Sequence, residues 1–404
     1  MTTSVLTLEK VPQRVVALNG ANIVAQAMRQ MNPDMVAAYP ITPQTLIVEF
    51  FSEFVANGEV DTEFVTVESE HSAMSACIGG AAAGGRVQTA TSSAGLAFMW
   101  ELLTVASGLR LPIVMHFVNR ALSAPINIHC DHSDSMGARD SGWVQLYAEN
   151  VQEAYDNTLQ SVRIAEHPEV MLPVLHCQDG FILSHGVERA EILPDEATKA
   201  FVGVYKPKFS LIDPAHPVTY GPMDLPDYYM EHKRQQVEAM ENALEVVPQI
   251  GEEYGKLSGR FYGLEEEYRL DDADVAVVAM GSVVGTAREA VDNMRARGVA
   301  AGLLKIRCFR PFPSEAVAKA LQGKKAVGVM DRAISFGAQG NPLFLEVCTS
   351  LFTYGLVSKV LNYVYGLGGR DTVAREIEDV FGELERVAKG ADLLPLVRYI
   401  GLRE

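Results

Sequence analysis

The chain has 404 residues, of which 48% are hydrophobic, and it carries a formal net charge of −17 at pH 7. A chain of this length and composition can bury large cores, so we expect two folded domains joined by a connector. The acidic balance opposes binding to nucleic acid or to anionic lipid, and it would also repel an acidic protein partner.

Neither a membrane span nor an export signal is predicted. No segment approaches the roughly 18 consecutive apolar residues of a membrane helix, and the opening MTTSVLTLEKVPQR lacks the apolar centre of a signal peptide. The five cysteines are widely separated, which excludes CxxC zinc sites and the close cysteine runs that hold iron–sulfur clusters. We therefore expect a cytoplasmic protein with reduced, mostly buried thiols.

Residues 15–185 alternate strand-like and helix-like segments, as in an α/β fold with a parallel sheet. The predicted strands are MVAAYP, EFVTVE, RVQTATSS, LPIVMHFVN and LPVLHC. The predicted helices are GANIVAQAMRQM, PQTLIVEFFSEFVANG, HSAMSACIGGAAAGG, FMWELLTVASG and VQEAYDNTLQSVRIAEH. This pattern predicts a doubly wound sheet, which binds ligands at the carboxyl ends of its strands.

The second half of the chain begins with a connector. Residues 186–265 contain six prolines between positions 194 and 226, followed by the charged amphipathic segment EHKRQQVEAMENALEVV. From about residue 268 a second α/β unit follows, with DVAVVAMGS, AGLLKI and KAVGVMD as strands and VGTAREAVDNMRARG as a helix. We predict a first domain over residues 1–250, including the connector from about 186, and a second over residues 260–404.

The pentapeptide YPITP (residues 39–43) places Thr42 between a strand and a helix. Pro43 suits the first position of a helix, and Thr42 is then a helix cap, which is a sufficient explanation on its own. The same geometry also suits an anion, because a helix N-terminus and a hydroxyl both donate hydrogen bonds to a carboxylate. Both interpretations remain open from the residues alone.

Two carboxylates, Glu68 and Glu70, lie at another predicted junction between a strand and a helix, with Ser69 as the expected cap. Carboxylates in the first turn of a helix commonly serve only to offset the helix dipole. In an apolar pocket, however, one of them could hydrogen-bond a ring nitrogen of a cofactor and change its protonation. The small side chains of the following helix would let a cofactor approach closely.

Arg120 follows a predicted strand, again at the carboxyl edge of the sheet. A lone arginine is usually solvated. In a cleft, its planar guanidinium can bind a carboxylate through two hydrogen bonds, as the positioning of a 2-oxo acid would require.

The segment NIHCDHSDSMGARDSGW contains five potential metal ligands within six residues: His129, Cys130, Asp131, His132 and Asp134. Consecutive residues of one loop seldom close a metal site, so we expect no metal. We instead expect a polar loop over an active site, with Arg139 held by an aspartate.

Two glycine-rich segments of the second unit, MGSVVG (280–285) and GLGGRD (366–371), could cradle phosphates. Neither is a full GxGxxG motif, and MGSVVG lacks a clear acidic residue about 20 positions further on. Tight turns are the simpler interpretation.

Eight segments carry a resemblance to a known family: YPITP, ESEHSA, TSSAG, FVNRAL, DHSDSMGARDSGW, KIRCFRPFP, DR and GNPLFLEV, in this order. Across roughly residues 15–370 the chain resembles the alpha subunit of the pyruvate:ferredoxin oxidoreductase family. The resemblance implies a thiamine-pyrimidine-type doubly wound domain followed by an α/β domain like the C-terminal domain of transketolase. It also implies thiamine diphosphate-dependent oxidation of a 2-oxo acid with coenzyme A, with the electrons passing through iron–sulfur clusters to ferredoxin.

The resemblance assigns roles to particular residues. It implies that Glu70, rather than Glu68, hydrogen-bonds the aminopyrimidine ring and favours the imino tautomer that removes the thiazolium C2 proton. Arg120 and Thr42 would hold the substrate carboxylate and polarise its oxo group. Further cofactor contacts would come from Ser93 and Gly95. Substrate or loop contacts would come from Ile41, Asp131, His132 and Arg139.

Other subunits are implied by what the sequence lacks. A GDG diphosphate-binding motif followed by an asparagine pair is absent, as are cluster-binding cysteines. By the resemblance, a beta-type subunit holds the diphosphate and Mg, while gamma- and delta-type subunits complete a complex with [4Fe-4S] clusters. This chain would then be inactive alone, and ferredoxin would dock elsewhere in the complex.

Pyruvate is the first expectation for the substrate, with oxidation or synthesis of pyruvate both open. The oxalate-using branch resembles this pattern but has arginine in place of the threonine of YPITP, so Thr42 argues against oxalate. Branched-chain, aromatic and dicarboxylic 2-oxo acids remain open, and the DHSD loop departs from the DHQD and DWQD forms of relatives.

Two other functions remain open as well. One is a non-catalytic scaffold subunit with the same fold. The other is the beta chain of a 2-oxo acid dehydrogenase complex, which YPITP and the proline-rich connector disfavour.

Overall fold

The computed structural model describes residues 10–403 of the chain. The strands, numbered along the chain, are β1 (Arg14–Asn19), β2 (Met35–Ala38), β3 (Glu63–Thr66), β4 (Val87–Thr91), β5 (Val114–Asn119), β6 (Val144–Tyr147), β7 (Val174–Asp179), β8 (Val187–Ile192), β9 (Glu265–Tyr268), β10 (Val275–Ala279), β11 (Ala301–Ile306), β12 (Cys308–Arg310), β13 (Ala326–Asp331), β14 (Lys359–Val364) and β15 (Val397–Tyr399). The helices are α1 (Gly20–Met31), α2 (Thr45–Ala56), α3 (Glu70–Ala82), α4 (Ser93–Phe98), α5 (Trp100–Gly108), α6 (Ser133–Gly137), α7 (Val151–Ala165), α8 (Asp195–Val202), α9 (Tyr229–Ser258), α10 (Val283–Ala296), α11 (Ser314–Leu321), α12 (Pro342–Thr353) and α13 (Ala374–Ala388).

The first sheet has seven strands in the order β12-β6-β7-β5-β4-β2-β3. All its pairs are parallel except β12 with β6. Helices α1, α2 and α7 pack against one face, while α3 and α5 contribute to the core on the other. Both faces are therefore covered, which explains why strands such as β5 and β7 are buried along their whole length.

The second sheet has six strands in the order β15-β14-β13-β10-β11-β9, parallel except for β9 with β11. Helices α10 and α13 share the core on one face, and α11 and α12 share the core on the other. The core that α11 and α12 share is continuous with the core on the α3 and α5 side of the first sheet. The two α/β units thus pack directly on each other, and their fold class is the one expected from the alternating sequence pattern.

Three features of the fold differ from the predictions. Cys308–Arg310 pairs with β6 at the edge of the first sheet, although it follows a strand of the second. Strands β1 and β8 form a separate antiparallel pair that the pattern did not reveal. Residue 250, the proposed end of the first domain, lies inside α9, whose buried side chains pack in the core of the first sheet. We propose that the boundary between the two units lies after α9.

A fourth difference concerns the start of α2. The helix begins at Thr45, and Pro43 lies in the turn before it, so the predicted cap at Thr42 is wrong. Gln44 occupies the cap position instead, and no side chain caps the helix. Residues Thr42 to Gln44 form a turn because the carbonyl of Ile41 accepts hydrogen bonds from the N–H groups of Gln44 (2.8 Å) and Thr45 (3.1 Å).

Among the helices of residues 10–403, none combines the length and the apolar character that crossing a membrane requires.

Candidate active site

The carboxyl ends of β2, β4 and β5 bring the predicted site residues to one edge of the first sheet. YPITP follows β2, TSSAG begins within β4, and Arg120 follows β5 directly. Neighbouring parallel strands end at the same edge, so these loops meet there. Glu70, the first residue of α3, joins them after β3.

Glu70 is held at the helix start by the local sequence. Ser69 is the cap, as predicted, and its hydroxyl accepts the N–H of Ser72 at 3.2 Å. Glu70 is only 8% exposed, and none of the described residues donates a hydrogen bond to its carboxylate. Glu68 is exposed and accepts a hydrogen bond from the Ser72 hydroxyl, which lowers its pKa. Of the two carboxylates, Glu70 is therefore the one that is buried and available to a ligand.

Gly95 packs closely against Glu70 and Thr91. A Cβ atom at this position would lie 2.8 Å from the nearer carboxylate oxygen of Glu70 and 2.3 Å from the hydroxyl oxygen of Thr91. That hydroxyl is buried and has no hydrogen-bond partner. Glycine is required here because any side chain would collide with both groups. Glycine thus allows the Glu70 carboxylate and the Thr91 hydroxyl to approach the start of α4 closely.

Thr42 and Arg120 are in direct contact. The guanidinium of Arg120 donates from one terminal nitrogen to the backbone carbonyl of Thr42 (2.9 Å) and from Nε to the carbonyl of Asn127 (3.3 Å). The other terminal nitrogen makes no hydrogen bond with a described residue. Thr42 itself is exposed. Arg120 therefore ties two loops together and retains one free N–H arm for an anion.

Gln44 fixes the turn that presents Thr42. Its side-chain oxygen accepts the backbone N–H of Ile41 at 3.2 Å, and Gln44 is fully buried. The side-chain nitrogen of Gln44 has no partner. Ile41 is thus a backbone anchor of the turn. The sequence pattern did not single out Gln44, because glutamine before a helix has no distinctive signal.

Ser93 begins α4 with a left-handed backbone (φ of +43°), which is uncommon for a residue with a side chain. Its hydroxyl donates to the carbonyl of Ala121 (2.7 Å), and its N–H donates to Asp134 (3.1 Å). Burial raises the pKa of Asp134 to about 8, and the hydrogen bonds from Arg120, Asn119 and Ser135 act in the opposite direction without offsetting it. All its hydrogen-bond partners are N–H donors, so they favour the ionised form.

The other predicted contact residues of this segment, Asp131, His132 and Arg139, have separate hydrogen-bond partners. Asp131 accepts the N–H of Ser133 (3.0 Å) within its own turn. His132 is fully buried, and its Nε2 lies 2.7 Å from a carboxylate oxygen of Asp179. Arg139 donates to the carbonyl of Met136 and forms only a loose, exposed ion pair with Asp140 (3.7 Å), so its predicted contact role stays a prediction.

Asp179 binds groups from both α/β units. Besides His132, it accepts hydrogen bonds from the backbone N–H of Ser282 (3.0 Å) and from Arg332 (2.9 Å). Burial alone would raise the pKa of Asp179, but His132 and Arg332 hold it well below its usual range. Cys130, His132 and Asp179 have ligand atoms within 4.8 Å of one another. The Arg332 guanidinium, which pairs with Asp179, provides the positive charge at this cluster.

The glycine-rich segments of the second unit meet the same junction. Ser282 of MGSVVG binds Asp179 through its backbone N–H, and the carbonyl of Gly366 accepts a hydrogen bond from Arg332 at 3.1 Å. Gly281 and Gly366 both have positive φ angles, as tight turns require. The N–H group that a phosphate would need at MGSVVG is therefore taken by the carboxylate of Asp179.

Two family models match the chain. The model of the thiamine diphosphate-binding domain of pyruvate flavodoxin/ferredoxin oxidoreductases matches residues 26–252. The model of core domain II of pyruvate:ferredoxin oxidoreductase matches residues 273–377. The two matches cover the first and second α/β units respectively.

Two relatives match along nearly their whole length. The chain is 55% identical to pyruvate synthase subunit PorA of Thermotoga maritima over 397 residues, which is 98% of this chain and 100% of the relative. It is 42% identical to ketoisovalerate oxidoreductase subunit VorA of Pyrococcus abyssi over 378 residues, which is 93% of this chain and 95% of the relative.

Two solved structures share the fold. One is a 2-oxoglutarate:ferredoxin oxidoreductase from Magnetococcus marinus with 2-oxoglutarate, coenzyme A and succinyl-CoA bound. Its TM-score is 0.72 at 20% identity, over 92% of this chain and 65% of that one. The other is a split-gene transketolase, with a TM-score of 0.54 at 13% identity over 92% of this chain and 100% of that one. The chain belongs to the pyruvate:ferredoxin oxidoreductase family, whose members are thiamine diphosphate-dependent 2-oxo acid oxidoreductases.

Proposed function

We propose that this chain supplies the aminopyrimidine-binding half of the active site and the substrate carboxylate contacts of a pyruvate:ferredoxin oxidoreductase. The reaction would convert pyruvate, coenzyme A and oxidised ferredoxin into acetyl-CoA, CO₂ and reduced ferredoxin, or run in reverse as pyruvate synthase. The observation that carries the proposal is Glu70, a buried carboxylate without a protein partner at the carboxyl edge of a doubly wound sheet.

The residues around Glu70 fit an aminopyrimidine ring. Such a ring has nitrogen atoms that donate and accept hydrogen bonds, and both the Glu70 carboxylate and the Thr91 hydroxyl need partners. Gly95 lets both groups lie close to the backbone at the start of α4, because a Cβ atom there would collide with each of them. When bound, thiamine diphosphate supplies the nucleophilic carbon and the electron sink for decarboxylation. Glu70 then holds a proton at a ring nitrogen and fixes the tautomer of the ring.

Arg120 and Thr42 would bind the substrate. The free terminal nitrogen of Arg120 can donate to one oxygen of a carboxylate, while its other nitrogens hold the carbonyls of Thr42 and Asn127. The exposed Thr42 hydroxyl can donate to the oxo group or the carboxylate. In this arrangement Arg120 makes one contact with the carboxylate instead of the two that the sequence suggested, and it keeps Thr42 in place at the same time.

The site would be completed by another subunit. The chain has no GDG motif for the diphosphate and no closely spaced cysteines for clusters. An exposed apolar surface adjoins the site, where Phe98 is 56% and Trp100 is 50% exposed and the Phe98 ring lies 5.9 Å from that of His71. We propose that a beta-type subunit covers this surface, with gamma- and delta-type subunits carrying the [4Fe-4S] clusters. The acidic charge of this chain supports a ferredoxin docking site elsewhere in the complex.

Pyruvate is the proposed substrate because the 55% identical relative is a pyruvate synthase subunit. A branched-chain 2-oxo acid is a second candidate, because a ketoisovalerate oxidoreductase subunit is 42% identical. The complex should therefore be assayed with pyruvate, 2-oxoisovalerate and 2-oxoglutarate at several concentrations. The proposal predicts the highest kcat/KM for pyruvate, and a higher value for either of the others would reassign the substrate.

The role of Glu70 is tested by the variant Glu70→Gln in the reconstituted complex, with Glu68→Gln as the matched control. The two carboxylates are two residues apart, but only Glu70 is buried. We expect Glu70→Gln to assemble normally and to lose at least about a hundredfold in kcat, because an amide cannot accept and return the ring proton. Glu68→Gln should retain full activity. Full activity in Glu70→Gln would contradict the proposal and favour a non-catalytic scaffold.

A further inference from the structure

Asp134, the last residue of DHSD, lies at the centre of a buried hydrogen-bond cluster. It is 3% exposed. One carboxylate oxygen accepts the backbone N–H groups of Arg120 (2.8 Å) and Ser93 (3.1 Å). The other accepts the side-chain N–H of Asn119 (3.0 Å) and the backbone N–H of Ser135 (2.7 Å).

A single oxygen atom of Asp134 therefore joins the two halves of the candidate site. Ser93 follows the short loop after β4 and begins α4, which contains Gly95 beside Glu70, whereas Arg120 contacts the Thr42 turn. The two residues follow different strands, β4 and β5, and are 27 positions apart in sequence. Ser93 has a left-handed backbone that costs free energy for a residue with a side chain, so a strong acceptor for its N–H group stabilises this conformation.

We propose that Asp134 is a positioning residue that sets the separation between the cofactor loop at Ser93 and the substrate loop at Arg120. This inference rests on the proposed function, because it assigns those loops to cofactor and substrate. Asp134 itself is buried behind both loops and acts through them. The DHSD segment therefore contributes to the site through its final residue, Asp134.

An aspartate is required because all the partners donate. Asparagine has the same shape, but its amide nitrogen would face N–H groups in place of one accepting oxygen. Two of the four donors would then lose their acceptor, and buried polar groups without partners are costly. The Asp134→Asn variant should therefore move Ser93 and Arg120 without removing either.

The second sheet offers a matched control. Asp331, at the carboxyl end of β13, is 2% exposed and accepts the backbone N–H groups of Leu343 (2.8 Å) and Phe344 (3.1 Å) and the side-chain N–H of Asn362 (2.8 Å). It has the same chemistry and burial as Asp134. Its donors lie at the start of α12 and on β14, and not in the candidate site.

The experiment compares Asp134→Asn and Asp331→Asn in the reconstituted complex. Three quantities are measured: KM for pyruvate, Kd for thiamine diphosphate by calorimetry, and Tm. We expect Asp134→Asn to raise KM and Kd together by about tenfold each, since both loops lose their common anchor. Asp331→Asn should lower Tm to a similar extent while KM and Kd stay within about twofold. A joint rise of KM and Kd is a signature that general destabilisation does not produce.

The inference is overturned if Asp134→Asn leaves both KM and Kd within about twofold of the original complex. It is also overturned if Asp331→Asn raises them equally. If Asp134→Asn does not assemble, the same measurements are made on Asn119→Ala, which removes only one of the four donors to Asp134. A joint rise of about threefold in KM and Kd is then expected, and unchanged values contradict the inference. Failure of the proposed function is separate, because the original complex would then bind no thiamine diphosphate.

Discussion

The carboxyl edges of the two sheets contain similar polar groups, but these groups differ in their hydrogen-bond partners. At the edge of the second sheet, MGSVVG, Arg332 and the GLGGRD turn form hydrogen bonds with Asp179 or with one another. At the edge of the first sheet, the Glu70 carboxylate, the Thr91 hydroxyl and one arm of Arg120 remain without protein partners. Both edges contain buried charges, but among the described residues only the first has a buried carboxylate without a hydrogen-bond donor, Glu70, whereas the unpartnered atom at the second is Nδ1 of His132.

This difference indicates where chemistry takes place. A buried polar group without a partner costs free energy, so such groups persist where a ligand supplies the missing contact. A glycine-rich turn and an arginine are not sufficient evidence for an anion site, because an internal carboxylate such as Asp179 can occupy it. The second edge joins the two α/β units, and the first is the one suited to a cofactor.

The largest expected effect concerns the junction at the second edge. Replacing Arg332 with Met should lower the free energy of unfolding by about 3 kcal/mol or more, because it leaves the buried Asp179 carboxylate without its guanidinium partner. Calorimetric unfolding of the complex would measure the loss. KM for pyruvate should be unchanged in the enzyme that remains folded, and a selective rise in KM would place Arg332 in the active site.

At the first edge, Arg120→Met should mainly affect catalysis. We expect kcat/KM for pyruvate to fall by about a hundredfold, or ~2.7 kcal/mol, because the variant loses the free N–H arm and the anchor of Thr42. Steady-state kinetics would measure this. Arg120→Lys should also be impaired, since a lysine cannot hold two carbonyls and an anion in one plane. Normal kinetics in Arg120→Lys would argue against that geometry.

The two sheets should also differ in acid sensitivity. His116 and His176 lie on neighbouring strands of the first sheet, whereas residues 265–404 contain no histidine. Burial lowers the pKa of His116 from 6.5 to about 3, and it also lowers the pKa of His176 well below 6.5. A depressed histidine pKa means that the unfolded chain binds more protons, so stability is lost as the pH falls from 6.5 towards 3.

Hydrogen exchange at stepwise lower pH should therefore show the first sheet losing protection before the second. His116→Gln, which cannot be protonated in this range, should reduce that dependence. The interpretation fails if the second sheet opens first or if the variant has the same pH profile as the original protein.

The smallest expected effect concerns Gln44. Its side chain only closes the turn that presents Thr42, so Gln44→Ala should raise KM for pyruvate about threefold with little change in kcat. Gln44→Glu keeps the accepting oxygen and should restore part of the loss. A larger effect on kcat than on KM would mean that Gln44 contacts reacting atoms.

The sequence was sufficient for features that depend on local pattern. The spacing of hydrophobic residues and the residues typical of element ends predicted most strands of the first sheet, the Ser69 cap and the turns at both glycine-rich segments. The carboxyl-edge rule for parallel sheets then predicted that the loops carrying Thr42, Glu70 and Arg120 would lie together, and the contact between Arg120 and Thr42 agrees with it.

Features that depend on distant partners could not be predicted from the sequence. The pairing of Cys308–Arg310 with the first sheet depends on how the two units pack, and nothing in three residues encodes it. The same holds for Asp134, whose donors come from α4, from the end of β5 and from α6, and for the bond between Asp179 and the MGSVVG turn. The start of α2 was misplaced because Pro43 suits both a first helical position and a turn.

The most direct test of the account is the rate at which the thiazolium C2 proton of thiamine diphosphate exchanges with deuterium in the reconstituted complex. The central claim is that Glu70 of this chain controls the protonation of the cofactor ring. We predict that Glu70→Gln slows this exchange by about a hundredfold or more, while Glu68→Gln leaves it unchanged. Equal exchange rates in Glu70→Gln and in the original complex would contradict the claim.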